Sequence, residues 1–304
     1  MNIAYLMYKE RVPDMQFRSL CIRLLREGIR SETQQSKKAG ETERATYSLP
    51  FAISHVYDIK NGCPMETCRQ IGKASINEGF ALANGVRMNN ELNRDWQVPF
   101  WNSTFEDPRK CEKRGLAQGD LGPASYVVLH DFPAHDGTMF NQIQAVIDQV
   151  RELPHLKTHT MTTLYPPGIF RGKGKRQMVV TVPCWGTVIN IFVLDGKLHL
   201  EMVMRSADMV VGEAHDRLMF SAFWLAFCHV LGYEPGKMSI VYLNAHYYEN
   251  QRGVLEEIIS REPRPFPTVT LKNPPDDFFA FRKEHFEVAN YHPYPAIKDI
   301  PVSP

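Results

Sequence analysis

The stretch that most limits what this chain can fold into runs from Met178 to Tyr248. Two β-branched runs, Val179–Val182 and Val188–Leu194, flank Pro183-Cys184, and the second ends at Asp195-Gly196. That dipeptide signals a hairpin, because both central positions of the favoured tight turn need positive φ. A third run, His199–Met204, leads into Arg205-Ser206-Ala207-Asp208. The apolar Leu218–Leu231 then reads as a buried helix. A cysteine, an arginine and an aspartate therefore fall near the ends of adjacent strands and beside that helix.

With 304 residues, 43% hydrophobic and 23% charged, the chain can bury a full core. A formal net charge of +1 argues against a polybasic surface, so neither a nucleic-acid nor a membrane partner is expected. No apolar run approaches the roughly 20 residues of a membrane span. The N-terminal MNIAYLMYKERVPDM lacks a basic segment followed by an apolar core, so no signal peptide is expected. Cys21, Cys63, Cys68, Cys111, Cys184 and Cys228 show no framework spacing, and Cys63/Cys68 is no zinc pair. We expect a reduced, cytoplasmic, metal-free protein.

Apolar residues at 17, 20, 21, 24 and 25 have helical spacing, which predicts a helix over Phe17–Glu27 stopped by Gly28. The polar Ser31–Arg44, with Lys37, Lys38 and Gly40, reads as a loop. Tyr47–Val56 reads as a strand and Asn61-Gly62 as a turn. Ile71–Ala83 reads as a helix stopped at Asn84-Gly85, with Glu78 among Ile71, Ala74, Ile76, Phe80 and Leu82. A carboxylate in that setting is either an exposed helix position or a buried acid with raised pKa. Asp95–Arg114 reads as loop, Phe140–Glu152 as an amphipathic helix, and Gly168–Arg176 as an exposed basic turn.

Several motifs stand in a telling order. They are Glu78, Gly119-Asp120-Leu121-Gly122-Pro123, Pro183-Cys184 and Val193-Leu194-Asp195-Gly196-Lys197-Leu198. Arg205-Ser206-x-Asp208 with Gly212, Ala245-His246-x-Tyr248 and Arg261-Glu262-Pro263-Arg264-Pro265-Phe266-Pro267 follow. Tyr291-His292-Pro293-x-Pro295-x-Ile297-Lys298 ends the series. Over roughly residues 60 to 304 the chain resembles the thymidylate synthase family, including its pyrimidine hydroxymethylase branch.

The resemblance implies folate-dependent chemistry on a pyrimidine nucleoside monophosphate. Cys184 would add to carbon 6, making carbon 5 nucleophilic, and Arg205 would supply the field that lowers the thiol pKa. Glu78 would handle protons through water. Arg205 and Ser206 would hold the phosphate, with Lys157 where the family places a pair of arginines reaching across a homodimer. Lysine cannot make arginine's bidentate contact. His246 and Tyr248 would bind the sugar, and Asn190 belongs with the substrate-binding positions. Asp208, Gly212 and Trp101 would meet methylenetetrahydrofolate, and the tail Ile297–Pro304 resembles a segment that closes over the folate. Arg30, Lys37 and Lys38 are all candidates for the loop that grips phosphate.

Three departures matter. After Pro123 the family's tyrosine is displaced: Ser125 stands in its place and Tyr126 is next. Counting back from Arg205, the family's cysteine falls on Trp185. Either a β-bulge between Cys184 and Asn190 absorbs one residue, which Gly186 eases, or Trp185 fills the nucleophile's place and covalent catalysis is lost. The local Pro183-Cys184 match favours the bulge. Finally, Asp216 stands where thymidylate synthases carry a base-reading asparagine, as the cytidylate-specific branch does. A carboxyl group suits cytosine's amino donor and unprotonated ring nitrogen.

The expected fold is α/β of α+β type, a large, mostly antiparallel sheet covered by helices, as one domain over 1–304 and a homodimer through face-to-face sheets. The expected function is methylenetetrahydrofolate-dependent hydroxymethylation of a cytidine monophosphate, catalysed by Cys184, Glu78 and Asp216. Two other readings stay open: methylation of deoxyuridylate, and a catalytically inactive nucleotide- or RNA-binding relative.

Overall fold

The computed structural model describes residues 3–32, 45–170 and 176–302, apart from the Ser103 side chain. Lys37, Lys38 and the centre of the basic turn at 171–175 lie outside the described residues. Helix α1 (Met15–Glu27) begins at Asp14, whose carboxylate accepts from the Phe17 amide at 3.1 Å, and ends at Gly28. Strands β1 (Ile29–Ser31), β2 (Thr46–Ser48) and β3 (Ile53–Asp58) follow. The strand expected over Tyr47–Val56 is thus two. Pro50, which has no amide hydrogen for a ladder, lies in the break, and the halves join different sheets.

Next come α2 (Ala74–Ala83), α3 (Asn89–Trp96), α4 (Gln142–Glu152) and β4 (Thr160–Met161). The C-terminal half holds β5 (Val188–Leu194), β6 (Lys197–Met204), β7 (Ala207–Asp208), α5 (Gly212–Leu231), β8 (Glu234–Tyr242), β9 (Ala245–Tyr248) and α6 (Arg252–Ser260). The stretch expected as loop from Asp95 also holds short helices at Asn102–Phe105 and Pro108–Glu112.

The expected large sheet divides in two. One has five strands in the order β3-β8-β6-β5-β4, parallel only between β8 and β6. The other has four, β1-β2-β9-β7, parallel only between β9 and β7. Strands β6 and β8 leave the first sheet side by side and continue into the second as β7 and β9. Across that break the Leu243 amide donates to the Met204 carbonyl and the Ala207 amide to the Asn244 carbonyl, both at 2.9 Å. Arg205 and Ser206 lie in the break, where the chain is free of ladder geometry.

Asp195 and Gly196 turn with φ of 52° and 69°, and the β5/β6 register is unbroken from Val188↔Val203 to Leu194↔Lys197. Val179–Val182, expected as a strand, is irregular. Its backbone is taken by the 119–123 loop instead: the Val180 amide donates to the Leu121 carbonyl at 3.3 Å, and Gly122 packs on Met178.

Helix α5 is buried all round from Arg217 to Cys228, and each fully buried Leu or Phe there contributes roughly 1.5–3 kcal/mol. Arg217, 1% exposed, locks its rotation by meeting Asp14, Glu66 at 3.4 Å and Glu213 at 3.2 Å. Helix α2 lies against it at Gly79, where a Cβ would stand 2.4 Å from Met219 Cγ. That close approach carries the neighbouring Glu78 to α5. Among the described residues, no helix is long and apolar enough to cross a membrane, and no group of three or more His, Cys, Asp or Glu could hold a metal ion.

Candidate active site

Cys184 sits in the irregular segment ahead of β5. Gly186 takes φ of 69° while Thr163 Oγ1 donates to the Trp185 carbonyl at 2.6 Å and the Thr163 amide to the Gly186 carbonyl at 2.8 Å. This left-handed residue takes up the extra length before the strand begins. The register of β5 is unbroken from Val188 to Leu194, so the irregularity expected between Cys184 and Asn190 lies before it: the Thr187 amide donates to the Val203 carbonyl at 3.0 Å although Val188 is the residue paired with Val203. The turn sends Trp185 inward, 3% exposed, stacked on Tyr126 with centroids 4.2 Å apart and edge-on to Phe220. Cys184, partly buried, lies against the same tyrosine, with Sγ 3.0 Å from Tyr126 Oη.

Tyr126 Oη also accepts from the Cys184 amide at 2.8 Å, which leaves the phenol hydrogen for the sulfur. Burial and the nearby Asp216 charge push the thiol up to about 12, opposed by the Tyr126 hydrogen bond and the Arg205 charge. Arg205 is exposed and braced to the same segment, its Nε donating to the Pro183 carbonyl at 3.2 Å.

Asp216 lies about 100° round α5 from Arg217. Burial, then the charges of Glu78, Glu213 and Asp208, push its carboxyl well above the usual range. Glu78, 9% exposed, is raised to about 7 by burial, while the Trp101 indole Nε1–H donates to its Oε1 at 2.6 Å and partly offsets that. One wall of the site thus presents a thiol, a carboxyl with a raised pKa and an acid poised near neutrality.

On the other side, Ser206 Oγ lies 3.5 Å from His246 Nδ1, and the His246 ring meets Tyr248 edge-on at 5.3 Å. Burial lowers the His246 pKa, against the pull of the Asp208 charge. Asp208 Oδ1 accepts from the Val210 and Val211 amides at 2.9 and 3.1 Å, just ahead of Gly212, the first residue of α5.

Two positions stand apart within one chain. Asn190 points to the outer face of the five-stranded sheet, accepting from Thr160 Oγ1 at 3.2 Å and donating to Glu201 Oε2 at 3.4 Å. Residues 189 and 191 face the core, so the strand's period of two turns residue 190 outward. Lys157 is exposed on the loop between α4 and β4. Arg30 is held by Glu249 at 2.9 Å, beside Tyr248. Sequence reasoning missed two residues. His215, lowered to about 4 by burial, tilts against Phe100 at 5.6 Å, and its Nδ1 has no partner among the described residues. Gln251, fully buried, bonds to Asp208. Their signal was only adjacency, one beside Asp216 and the other just past Tyr248.

A nucleophile, two acids with displaced pKa values and a braced arginine suit addition of a thiolate to an electron-poor ring followed by proton transfers. Residues 15–303 match the family described as thymidylate synthase. With nearly its whole length matched, the chain belongs to the thymidylate synthase family, whose chemistry is folate-dependent one-carbon transfer to carbon 5 of a pyrimidine nucleotide.

Proposed function

We propose that the protein transfers a one-carbon unit from methylenetetrahydrofolate to carbon 5 of a cytidine monophosphate and hydrates it to hydroxymethyl. The observation that carries this reading is the strongly raised pKa of Asp216 beside Cys184 and Glu78. A protonated carboxyl donates to the unprotonated ring nitrogen of cytosine and accepts from its amino group. With its proton on the other oxygen, the same group pairs with uracil, so the substrate ratio is the decisive measurement.

Base binding also prepares the nucleophile. A base that binds Asp216 in its neutral form keeps the Asp216 charge, the second cause of the raised Cys184 pKa, from opposing the thiolate. Tyr126 Oη–H and Arg205 then stabilise the thiolate as it adds to carbon 6. Glu78, with a pKa near neutrality, gives and takes protons through water. Arg205 and Ser206 bind the phosphate, His246 and Tyr248 the sugar. The Asn190 amide is bonded to Thr160 and Glu201 in the single chain.

The residues fit a flat, hydrogen-bonding co-substrate. Trp101 and the Phe100/His215 ring pair offer aromatic surface, Gly212 has no side chain in the way, and Asp208 supplies a carboxylate. Methylenetetrahydrofolate would supply the carbon. A homodimer through the outer face of the five-stranded sheet, with Lys157 reaching the partner's phosphate, completes the reading. Val56 and Val188 on that face are 46% and 38% exposed.

The test is tritium release from carbon-5-labelled cytidine and uridine monophosphates, ribo and deoxy, with methylenetetrahydrofolate. Release from a cytidine nucleotide with a hydroxymethyl product and no dihydrofolate is expected. Uridylate preference with dihydrofolate formation would assign thymidylate synthesis instead, and no release from any nucleotide would leave a binding protein.

A further inference from the structure

Gln251 sits at a junction of three segments and is completely buried. Its Nε2 donates to Asp208 Oδ2 at 2.9 Å and to the Pro301 carbonyl at 2.9 Å. Its Oε1 accepts from the Tyr248 amide at 2.9 Å. Both amide hydrogens and the amide oxygen are therefore used, and the orientation is forced. A flipped amide would set its oxygen against a carboxylate and a carbonyl, and its NH2 against an N–H donor.

The tail reaches this point in steps. Thr67 O accepts from the Tyr294 amide, Arg264 donates to the His292 carbonyl and Arg261 to the Pro295 carbonyl, each at 2.9 Å. Ile297 and Ile300 pack partly buried on the core. Among the described residues, the bond from Gln251 is then the last that holds the tail. The side chain that ends this path is the one that fixes Asp208 Oδ2. One amide thus joins the C-terminal tail, the carboxylate proposed for the co-substrate and the strand end that carries Tyr248.

We propose that Gln251 is a positioning residue that ties the C-terminal tail to Asp208, so that seating of the tail and recognition of the reduced folate occur as one event. The inference rests on the assignment of Asp208 to the co-substrate, but its first test does not. In Gln251→Met, of similar length and without donors, amides from Ile297 to Val302 should exchange about tenfold faster or more in ligand-free full-length protein. That is the scale of losing hydrogen bonds to a carboxylate and a carbonyl. Exchange in α5 should not change. Second, KM for methylenetetrahydrofolate should rise about tenfold while KM for the nucleotide stays within about twofold, on the same scale. Gln251→Glu, which keeps the acceptor for Tyr248 but sets a carboxylate against Asp208, should give the same split.

If Gln251→Met does not fold, truncation after Ile300 replaces it. Removing the Pro301 acceptor should raise the folate KM without touching nucleotide binding. Unchanged tail exchange in a folded variant, or equal changes in both KM values, overturns the proposal. Faster tail exchange in a protein that turns over no pyrimidine nucleotide would keep the tie to Asp208 and reject the function proposed above.

Discussion

Replacing Glu78 with glutamine separates what this acid costs the fold from what it gives the reaction. Burial raises its pKa from 4.5 to about 7. The folded protein therefore holds a proton that the unfolded chain releases between those values. The group's stability contribution is fully present below pH 4.5 and is lost as pH rises through about 7. At 1.36 kcal/mol per pKa unit, the wild type loses on the order of 3 kcal/mol over that window. Glutamine does not titrate. Its Oε1 can keep the Trp101 indole bond, while its amide hydrogens add a cost of about 1–3 kcal/mol if unpaired, the same at every pH. Urea unfolding of both proteins across this pH range gives the difference in stability. That difference should move in the variant's favour by on the order of 3 kcal/mol on going from acid to pH above 7. A constant offset across the range would mean that Glu78 titrates normally, and the argument for a poised acid would fail. Turnover should fall about 100-fold or more with nucleotide affinity kept, the usual scale for a lost general acid–base.

Other substitutions address single atoms of the site. Cys184→Ser should abolish turnover and leave nucleotide binding, because a hydroxyl is not ionised near neutral pH; wild-type rates without a covalent adduct by mass spectrometry would remove the nucleophile. Tyr126→Phe deletes the phenol hydrogen directed at the sulfur, so alkylation of Cys184 by iodoacetamide at fixed pH should slow by about tenfold or more, the scale of a hydrogen bond to a charged group. Equal alkylation rates would reduce Tyr126 to a stacking partner of Trp185. Asp216→Asn should lower or reverse the cytidylate-to-uridylate ratio of kcat/KM, since a mismatched buried polar group costs roughly 1–3 kcal/mol. A ratio that ignores the change would count against the cytidylate reading.

Local order was legible in the residues because its causes are local. The β5/β6 hairpin follows from β-branched runs around Asp195-Gly196, and α4 from its apolar spacing. The end of α1 follows from Gly28, and the burial of α5 from an apolar run too long for a strand. The order of motifs carried the family, since each stands at its own fixed place in the chain.

What only tertiary structure decided depends on groups far apart in sequence. Pro50 can end a strand, but which sheet each half joins is set by partners near residues 240 and 247. Spacing alone put Trp185 in the family cysteine's place and the local Pro183-Cys184 match favoured an absorbed residue; the contacts of Thr163 with residues 185 and 186 show where the backbone turns. That Asn190 lies on the outer face, bonded to Thr160 and Glu201, follows from the register of β5. The raised pKa values of Asp216 and Glu78 are the clearest case. A pKa is a sum over burial and charges contributed by α2, α5 and the Asp208 turn, so no window of sequence contains it. Gln251 has the same character: its role exists only because Asp208, Tyr248 and Pro301, distant along the chain, meet at one amide.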